Sequence, residues 1–293
     1  MRQIRAIDKI AANTRLDTAA GAIRDAVHKV LKPGTAKDLL HGVWLGHPLH
    51  PALAQFPVGC FVGAALLDLT GNPGKAADRL IGWGVLGSVP AALAGAADYA
   101  DSHEDQQRVG VVHAAANSTA LLCYLVSLGL RAKDKRLGGL VFGLAGIALV
   151  GAGAMLGGDL AFRRALGSNH AEEVPHTGPA DWCDLGLADE FGDGELVRRS
   201  AGDIPVFVLR HGARWTVLHD RCSHLAAPLS TGELTTVDGD ECVVCPWHGS
   251  VFRIDDGQVV HGPATAPQPV LDSRVQDGRL QTKVREIPGV PAS

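Results

Sequence analysis

Two short boxes carry the residue types that hold metals: Cys222-Ser223-His224 and Cys245-Pro246-Trp247-His248, a Cys-x-His and a Cys-x-x-His with 20 residues between them. Thiolate sulfur and imidazole nitrogen are good donors to transition metals, and two Cys and two His supply four ligands. Zinc accepts such a mixed tetrahedron, so ligand identity alone leaves zinc open. The turns favour iron and sulfide. Each box belongs to a Gly- or Pro-marked loop (His224-Leu225-Ala226-Ala227-Pro228 and His248-Gly249-Ser250) able to direct backbone N–H groups at bridging sulfides. Cys242, three residues before Cys245, reads as a buried strand residue and not a ligand. With six cysteines in 293 residues and three of them between 222 and 245, the pattern is a metal site and not a disulfide scaffold.

A second group lies far upstream. His47-Pro48-Leu49-His50-Pro51 opens one long apolar stretch and His113 another, with Asp98, His103 and Asp159 near the ends of their own stretches. Short connections between four spans would bring all six ionisable residues to one membrane side, the side from which the C-terminal domain hangs. Ionisable groups gathered at bilayer depth are a functional hypothesis, weighed against ordinary interface anchoring.

The elements that must position these residues divide the chain. The protein is 46% hydrophobic and 20% charged, with 36 glycines and 5% aromatics, a texture of closely packed membrane helices. The apolar excess falls in the first 160 residues. Ala52–Thr70, Leu80–Ala100, Val109–Leu130 and Leu137–Gly158 each approach the roughly 20 residues that cross about 30 Å of hydrocarbon. A soluble helical core would need four consecutive helices apolar on every side. Ahead of them, residues 1–46 hold eight Lys or Arg and no run resembling an export signal. Ala20, Ile23, Val27 and Val30 predict an amphipathic helix over 17–31, ended by Lys32-Pro33-Gly34 and lying on the membrane or against the C-terminal domain.

The predicted order is residues 1–46 as a cytoplasmic amphipathic segment, 47–160 as a four-helix transmembrane domain, 161–180 as a linker, 181–287 as a small all-β domain and 288–293 as a tail. In the β part, Ile204–Leu209, Trp215–Leu218, Glu241–Val244 and Gln258–Val260 alternate with Gly, Asp and Pro turns. No internal repeat stands out. A net charge of -4 gives no basic field for nucleic acid. Neither a Gly-x-Ser-x-Gly elbow nor a phosphate-binding glycine loop is present, so hydrolase and nucleotide-binding readings lack support.

Residues 222–230, 245–252 and Gly262-Pro263-Ala264 together resemble a Rieske [2Fe-2S] domain of the soluble ferredoxin type, a likeness that covers about 181–287. It implies one cluster per subunit, with Cys222 and Cys245 on one iron and His224 and His248 on the other. Neutral imidazoles in place of two thiolates make such a cluster easier to reduce. Ser250 matches a serine that donates to a cluster sulfur in high-potential members. Phe252 stands where those members have a tyrosine, and Ala227 and Trp247 stand where the cytochrome-complex branch has a bracing disulfide. The implied potential is intermediate to low.

Residues 40–165 are similar to an uncharacterised bacterial four-helix membrane domain with the His-Pro-Leu-His-Pro opening and a His-x-x-x-Asn, His113 to Asn117, on its third helix. The expected function is a membrane-anchored carrier of single electrons to or from an oxygenase, reductase, quinone or respiratory component, and not a complete enzyme. The alternatives are a structural or sensory zinc domain on a membrane anchor, or a cluster-plus-haem b electron conduit across the membrane domain. His170, Glu172, Glu173 and His176 could be offered as a mononuclear oxygenase site but lie in the polar linker. His50 and His113 are candidate ligands of a b-type haem. The missing brace and the absence of an export signal place the multi-pass protein in the cell membrane with its β domain in the cytoplasm, against Lys75, Arg79, Arg131, Lys133, Lys135 and Arg136 on the far-side loops.

Overall fold

The computed structural model describes residues 2–71 and 74–285. The expected end of the β domain at 286–287 and the tail 288–293 lie outside the described residues. The chain forms two compact units, one of residues 1–32 and 48–166, the other of residues 33–47 and 167–293.

In the helical unit, α1 (Arg2–Ala11) and α2 (Asp17–Val30) precede the long helices. The second unit takes α3 (Thr35–His41) from the intervening segment. Helix α2 stops one residue short of the sequence expectation and belongs to the helical unit. Tyr99 donates its hydroxyl to the Ala20 carbonyl at 3.0 Å, and Arg108 Nε donates to Asp17 at 2.6 Å, which holds α2 within the helical unit. Of its apolar stripe only Ala20 is buried.

Four helices long and apolar enough to cross a membrane follow: α4 (Leu49–Leu69), α5 (Lys75–Ala100), α6 (Glu104–Ala132) and α7 (Arg136–Gly158). They cover the four expected spans except Thr70, which caps α4, and extend the N-terminal ends, because backbone hydrogen bonding continues past the apolar stretch. Leu66, Trp83, Leu86, Leu122 and Val141 are exposed on them, an outward face suited to lipid and costly in water. After α7 the chain closes a π turn at Asp159–Arg163, where Arg163 and Arg164 both bond the Asp159 carboxylate.

The helical unit does contain a repeat. Hairpin α4–α5 and hairpin α6–α7 place equivalent residues against each other, each pair 63 positions apart. The His50 and His113 rings lie 6.3 Å apart, Phe61 and Tyr124 stack at 3.9 Å, and Asp68 takes a two-pronged bond from Arg131 at 2.9 and 2.5 Å. Within the hairpins the match continues. A Cβ on Gly84 would meet the Phe61 ring, and one on Gly146 the Tyr124 ring; Gly95 receives His50 as Gly157 receives His113. A residue that touches its own equivalent must lie on a two-fold axis, so three such pairs trace a pseudo-two-fold axis along the bundle. The pattern is faint in the sequence because the positions that keep their type are isolated histidines and glycines, while Phe61/Tyr124 and Asp68/Arg131 differ.

The second unit is antiparallel throughout its named strands. Strands β1 (Cys183–Leu187), β2 (Leu196–Ala201), β3 (Ile204–His211) and β4 (Arg214–His219) join β9 (Val270–Gln276) and β10 (Arg279–Lys283) in a six-stranded sheet ordered β1-β10-β9-β4-β3-β2. Strands β5 (Glu233–Val237), β6 (Asp240–Val244), β7 (Val251–Arg253) and β8 (Val259–His261) form the second sheet in sequence order.

Period-two alternation along β3 feeds two cores. Ile204, Val206 and Val208 enter one with Val217 and Leu280, while Phe207 and Leu209 enter the other with Leu218, Cys222, Cys245 and Phe252. Each such side chain contributes about 1.5–3 kcal/mol by leaving water. The stretch 161–180, which reads as a linker, is partly structured. Ala171 and Val174 are buried, and Val174 on the short helix α8 (Val174–Thr177) joins the first core, so these two apolar residues give the tether something to bury.

Candidate metal centre

Both boxes sit on turns between strands, Cys222–Ser230 after β4 and Cys245–Ser250 between β6 and β7, and the two turns share a conformation. In the first, Cys222 N–H donates to Ala227 O at 2.8 Å and Ala226 N–H returns to Cys222 O at 2.8 Å. In the second, Cys245 N–H donates to Ser250 O at 2.8 Å and Gly249 N–H to Cys245 O at 3.1 Å. The fourth residue after each cysteine has positive φ, 62° at Ala226 and 73° at Gly249. Glycine takes that conformation at no steric cost, and alanine is held in it by the two hydrogen bonds.

This geometry turns backbone donors onto sulfur. The N–H groups of His224 and Leu225 bond Cys222, and those of Trp247 and His248 bond Cys245. The two thiols are within hydrogen-bonding reach of each other. Contact with the Cys245 sulfur, together with burial, raises the Cys222 thiol well above its ordinary value. The Cys222 thiol and the two N–H groups hold Cys245 at about 7 despite its burial. The imidazoles form a second pair, with the His224 and His248 rings 5.1 Å apart and nearly perpendicular.

The donors therefore sort into a sulfur pair and an imidazole pair. Among the described residues no three His, Cys, Asp or Glu side chains gather about one point, as a single metal held wholly by protein side chains would require. Two pairs suit two metal atoms. The residues fit a cluster with two thiolates on one iron and two imidazoles on the other, and the N–H groups favour the ionised sulfurs.

Ser250 is fully buried, and its Oγ accepts from Ala264 N at 3.0 Å, which leaves the hydroxyl hydrogen for another acceptor. Phe252 is buried in the adjoining core. Cys242 is buried on β6 and donates to Asp240 O at 3.5 Å, away from the ligand pairs. Thr235 to Asp240 forms the β5–β6 hairpin, closed by Asp238-Gly239 with φ of 52° and 93°, the two-residue turn that positive φ permits. Trp247 is half exposed beside His248.

Sequence reasoning missed the contribution of α3. Asp38 accepts from Gly262 N at 2.9 Å and pairs with His261 Nδ1 at 2.8 Å, and Gly262 packs so closely on His41 and Val43 that a Cβ would come within 3.1 Å of Val43. The loop 261–264 is thereby fixed from the N-terminal side while its Ala264 N–H reaches Ser250. No local signal marks Asp38, since its partners lie more than 220 residues away.

Of the upstream group, the structure brings His50 and His113 together. His47 falls in the β unit with residues 33–47, Asp98 in the last turn of α5, and His103 ahead of α6, where its N–H bonds Gln106 at 2.9 Å. Asp159 is taken by Arg163 and Arg164. In the 161–180 stretch, Glu172 and His176 form an exposed pair at 3.6 Å, and among the described residues no group of three such side chains forms there.

Residues 181–282 match the Rieske [2Fe-2S] domain, and residues 46–170 match a predicted membrane protein family, DUF2231. The anthranilate 1,2-dioxygenase ferredoxin subunit of Burkholderia cepacia is 38% identical over 105 residues, which are 36% of this chain and 94% of that protein. The 3-phenylpropionate/cinnamic acid dioxygenase ferredoxin subunit of Escherichia coli (strain K12) is 30% identical over 88 residues, 30% of this chain and 79% of that one. Among solved structures, a complex of reduced oxygenase and oxidized ferredoxin in carbazole 1,9a-dioxygenase matches at 30% identity with a TM-score of 0.31, over 36% of this chain and 94% of the other.

Proposed function

We propose, for a chain that belongs to the Rieske [2Fe-2S] family and carries a DUF2231 membrane domain ahead of it, that it is a membrane-anchored ferredoxin passing single electrons between a reductase or quinone and an oxygenase or respiratory partner. The observation that carries the reading is the sorting of four donors into a sulfur pair and an imidazole pair on two turns of one conformation. Cys222 and Cys245 would hold one iron and His224 and His248 the other. When bound, the cluster supplies a one-electron acceptor whose mixed ligation makes it easier to reduce than an all-thiolate cluster.

The chain's own residues do the rest. Backbone N–H groups at 224, 225, 247 and 248 stabilise charge on the sulfurs. Ser250 keeps a hydroxyl hydrogen for a cluster sulfur, while Phe252 offers none, which supports an intermediate to low potential. The half-exposed Trp247 beside His248 supports electron exit at the imidazole side to a protein partner. No disulfide joins any of the six cysteines, which suits a reducing compartment, and we place the β unit in the cytoplasm. The carrier reading stands on the four cluster ligands; a haem on His50 and His113 is a separate step.

Iron and sulfide analysis of the detergent-purified chain, with EPR after reduction, tests the reading. The expected result is two irons and two sulfides per chain and a signal with the low average g of histidine ligation, abolished in Cys222→Ser and in His248→Ala. Zinc without sulfide, or a signal that survives both substitutions, would overturn it.

A further inference from the structure

We infer that His50 and His113 are the two protein ligands of one transition-metal ion, held on the pseudo-two-fold axis of the helical unit. Each imidazole is prepared in the same way. His50 Nδ1 bonds Ala91 O at 2.8 Å, and His113 Nδ1 bonds Gly153 O at 2.9 Å, each acceptor lying on the second helix of the same hairpin. A carbonyl oxygen only accepts, so the proton is on Nδ1 in both rings and the lone pair on Nε2. Fixing the tautomer through a backbone carbonyl is how proteins orient a metal-binding imidazole and raise its basicity. Room is made identically, by Gly95 four residues after Ala91 and Gly157 four residues after Gly153.

The spacing fits one ion between the rings. Two metal–imidazole bonds of about 2 Å, with the half-width of each ring added, come to about 6 Å between ring centres. The centres are 6.3 Å apart. The other two axial pairs have diverged, to Phe61 with Tyr124 and Asp68 with Arg131, whereas this one is histidine in both halves. Helix packing alone would be served by any side chain able to reach the carbonyl.

Asn117 Nδ2 lies 3.2 Å from His113 Nε2 and 3.0 Å from the His113 carbonyl. Its contact with Nε2 agrees with a lone pair there, and the bond to the carbonyl remains when Nε2 is taken. Only two side-chain donors of this kind meet on the axis, with no third His, Cys, Asp or Glu completing a group among the described residues. The remaining coordination positions must come from the guest. Iron in a porphyrin brings four in-plane nitrogens and needs two axial ligands; a bare copper or iron ion shares the imidazole chemistry but brings no such ligands.

The test uses the full chain in detergent, purified from cells supplied with iron, copper and a haem precursor, with metals counted per chain beside an optical spectrum. One metal beyond the two cluster irons is expected. A Soret band identifies it as haem iron, and an extra metal without that band as a bare ion. His50→Ala and His113→Ala should each lower the extra metal at least tenfold and leave the cluster EPR signal unchanged. Cys222→Ser should remove that signal and leave the extra metal, so the outcome here is independent of the carrier reading. A wild-type chain with a full cluster and no further metal, or a further metal that survives both histidine substitutions, would sink the inference.

Discussion

Both units duplicate a local form, but they use the copies differently. In the β unit the two box turns repeat one conformation, and each copy aims two N–H groups at its own cysteine, so in the proposed cluster the copies would add donors to a common centre. In the helical unit the copies are whole hairpins that face each other across an axis, and residues act in pairs with their own equivalents. A site made of adjacent turns tolerates change in the scaffold beneath it. A site on an axis has each side chain doing half of one job, so single substitutions there should be felt in both hairpins.

The largest expected effect is at the axial ion pair. Arg131 bonds Asp68 with both terminal nitrogens and also reaches Asp78, and the Asp68 and Arg131 side chains are only 4% and 2% exposed. Removing one partner strands a buried charge, at a cost of about 3–5 kcal/mol. Asp68→Ala or Arg131→Leu should lower the thermal midpoint of the detergent-solubilised chain sharply, and the double substitution Asp68→Leu with Arg131→Leu should recover much of the loss. If the double substitution is as damaging as the sum of the singles, the pair is not a cross-axis unit.

The β unit should differ in its response to acid. His219, at the end of β4, is fully buried, and burial is the main cause that pushes its value from 6.5 down to about 4; Glu173 and Asp220 oppose this and Arg221 adds to it. Between those values the unfolded chain binds the proton and the folded chain does not. Stability from this group is complete above about pH 6.5 and falls as pH drops toward 4, by on the order of 3 kcal/mol. Denaturant melts followed by cluster absorbance at pH 7 and pH 5 should show the loss in the wild type, and His219→Phe should flatten it. An equally steep fall in the variant would mean that another group is responsible.

What could be read before folding follows the same division. The four proposed cluster ligands occupy boxes a few residues long, so their types and spacing mark a metal site directly. The apolar lengths of α4 to α7 were legible for a similar reason, since spanning is a property of a continuous stretch. The duplication was not. It rests on pairs such as Phe61 with Tyr124 and Asp68 with Arg131, chemically complementary or merely similar, and on glycines that look like general membrane packing until the ring each one receives is known. Asp38 was hidden likewise, because a carboxylate that fastens a distant loop has no sequence neighbour to betray it.

The smallest expected effect is also the one with the opposite sign. Tyr124 stacks on Phe61 with the rings 6° from parallel, and its buried hydroxyl has no hydrogen-bond partner among the described residues. A buried, unsatisfied hydroxyl costs about 1–3 kcal/mol relative to its solvated state, and part of that cost is recovered if the oxygen is deleted without loss of the ring. Tyr124→Phe keeps the stack against Gly146, makes the axial pair identical in both hairpins, and should raise the thermal midpoint by the equivalent of about 1 kcal/mol. Phe61→Tyr adds a second hydroxyl at the equivalent place and should lower the midpoint. A fall in both variants would show that the Tyr124 hydroxyl is engaged in the membrane by a group outside this chain, and the axis would then be less symmetric in chemistry than in backbone.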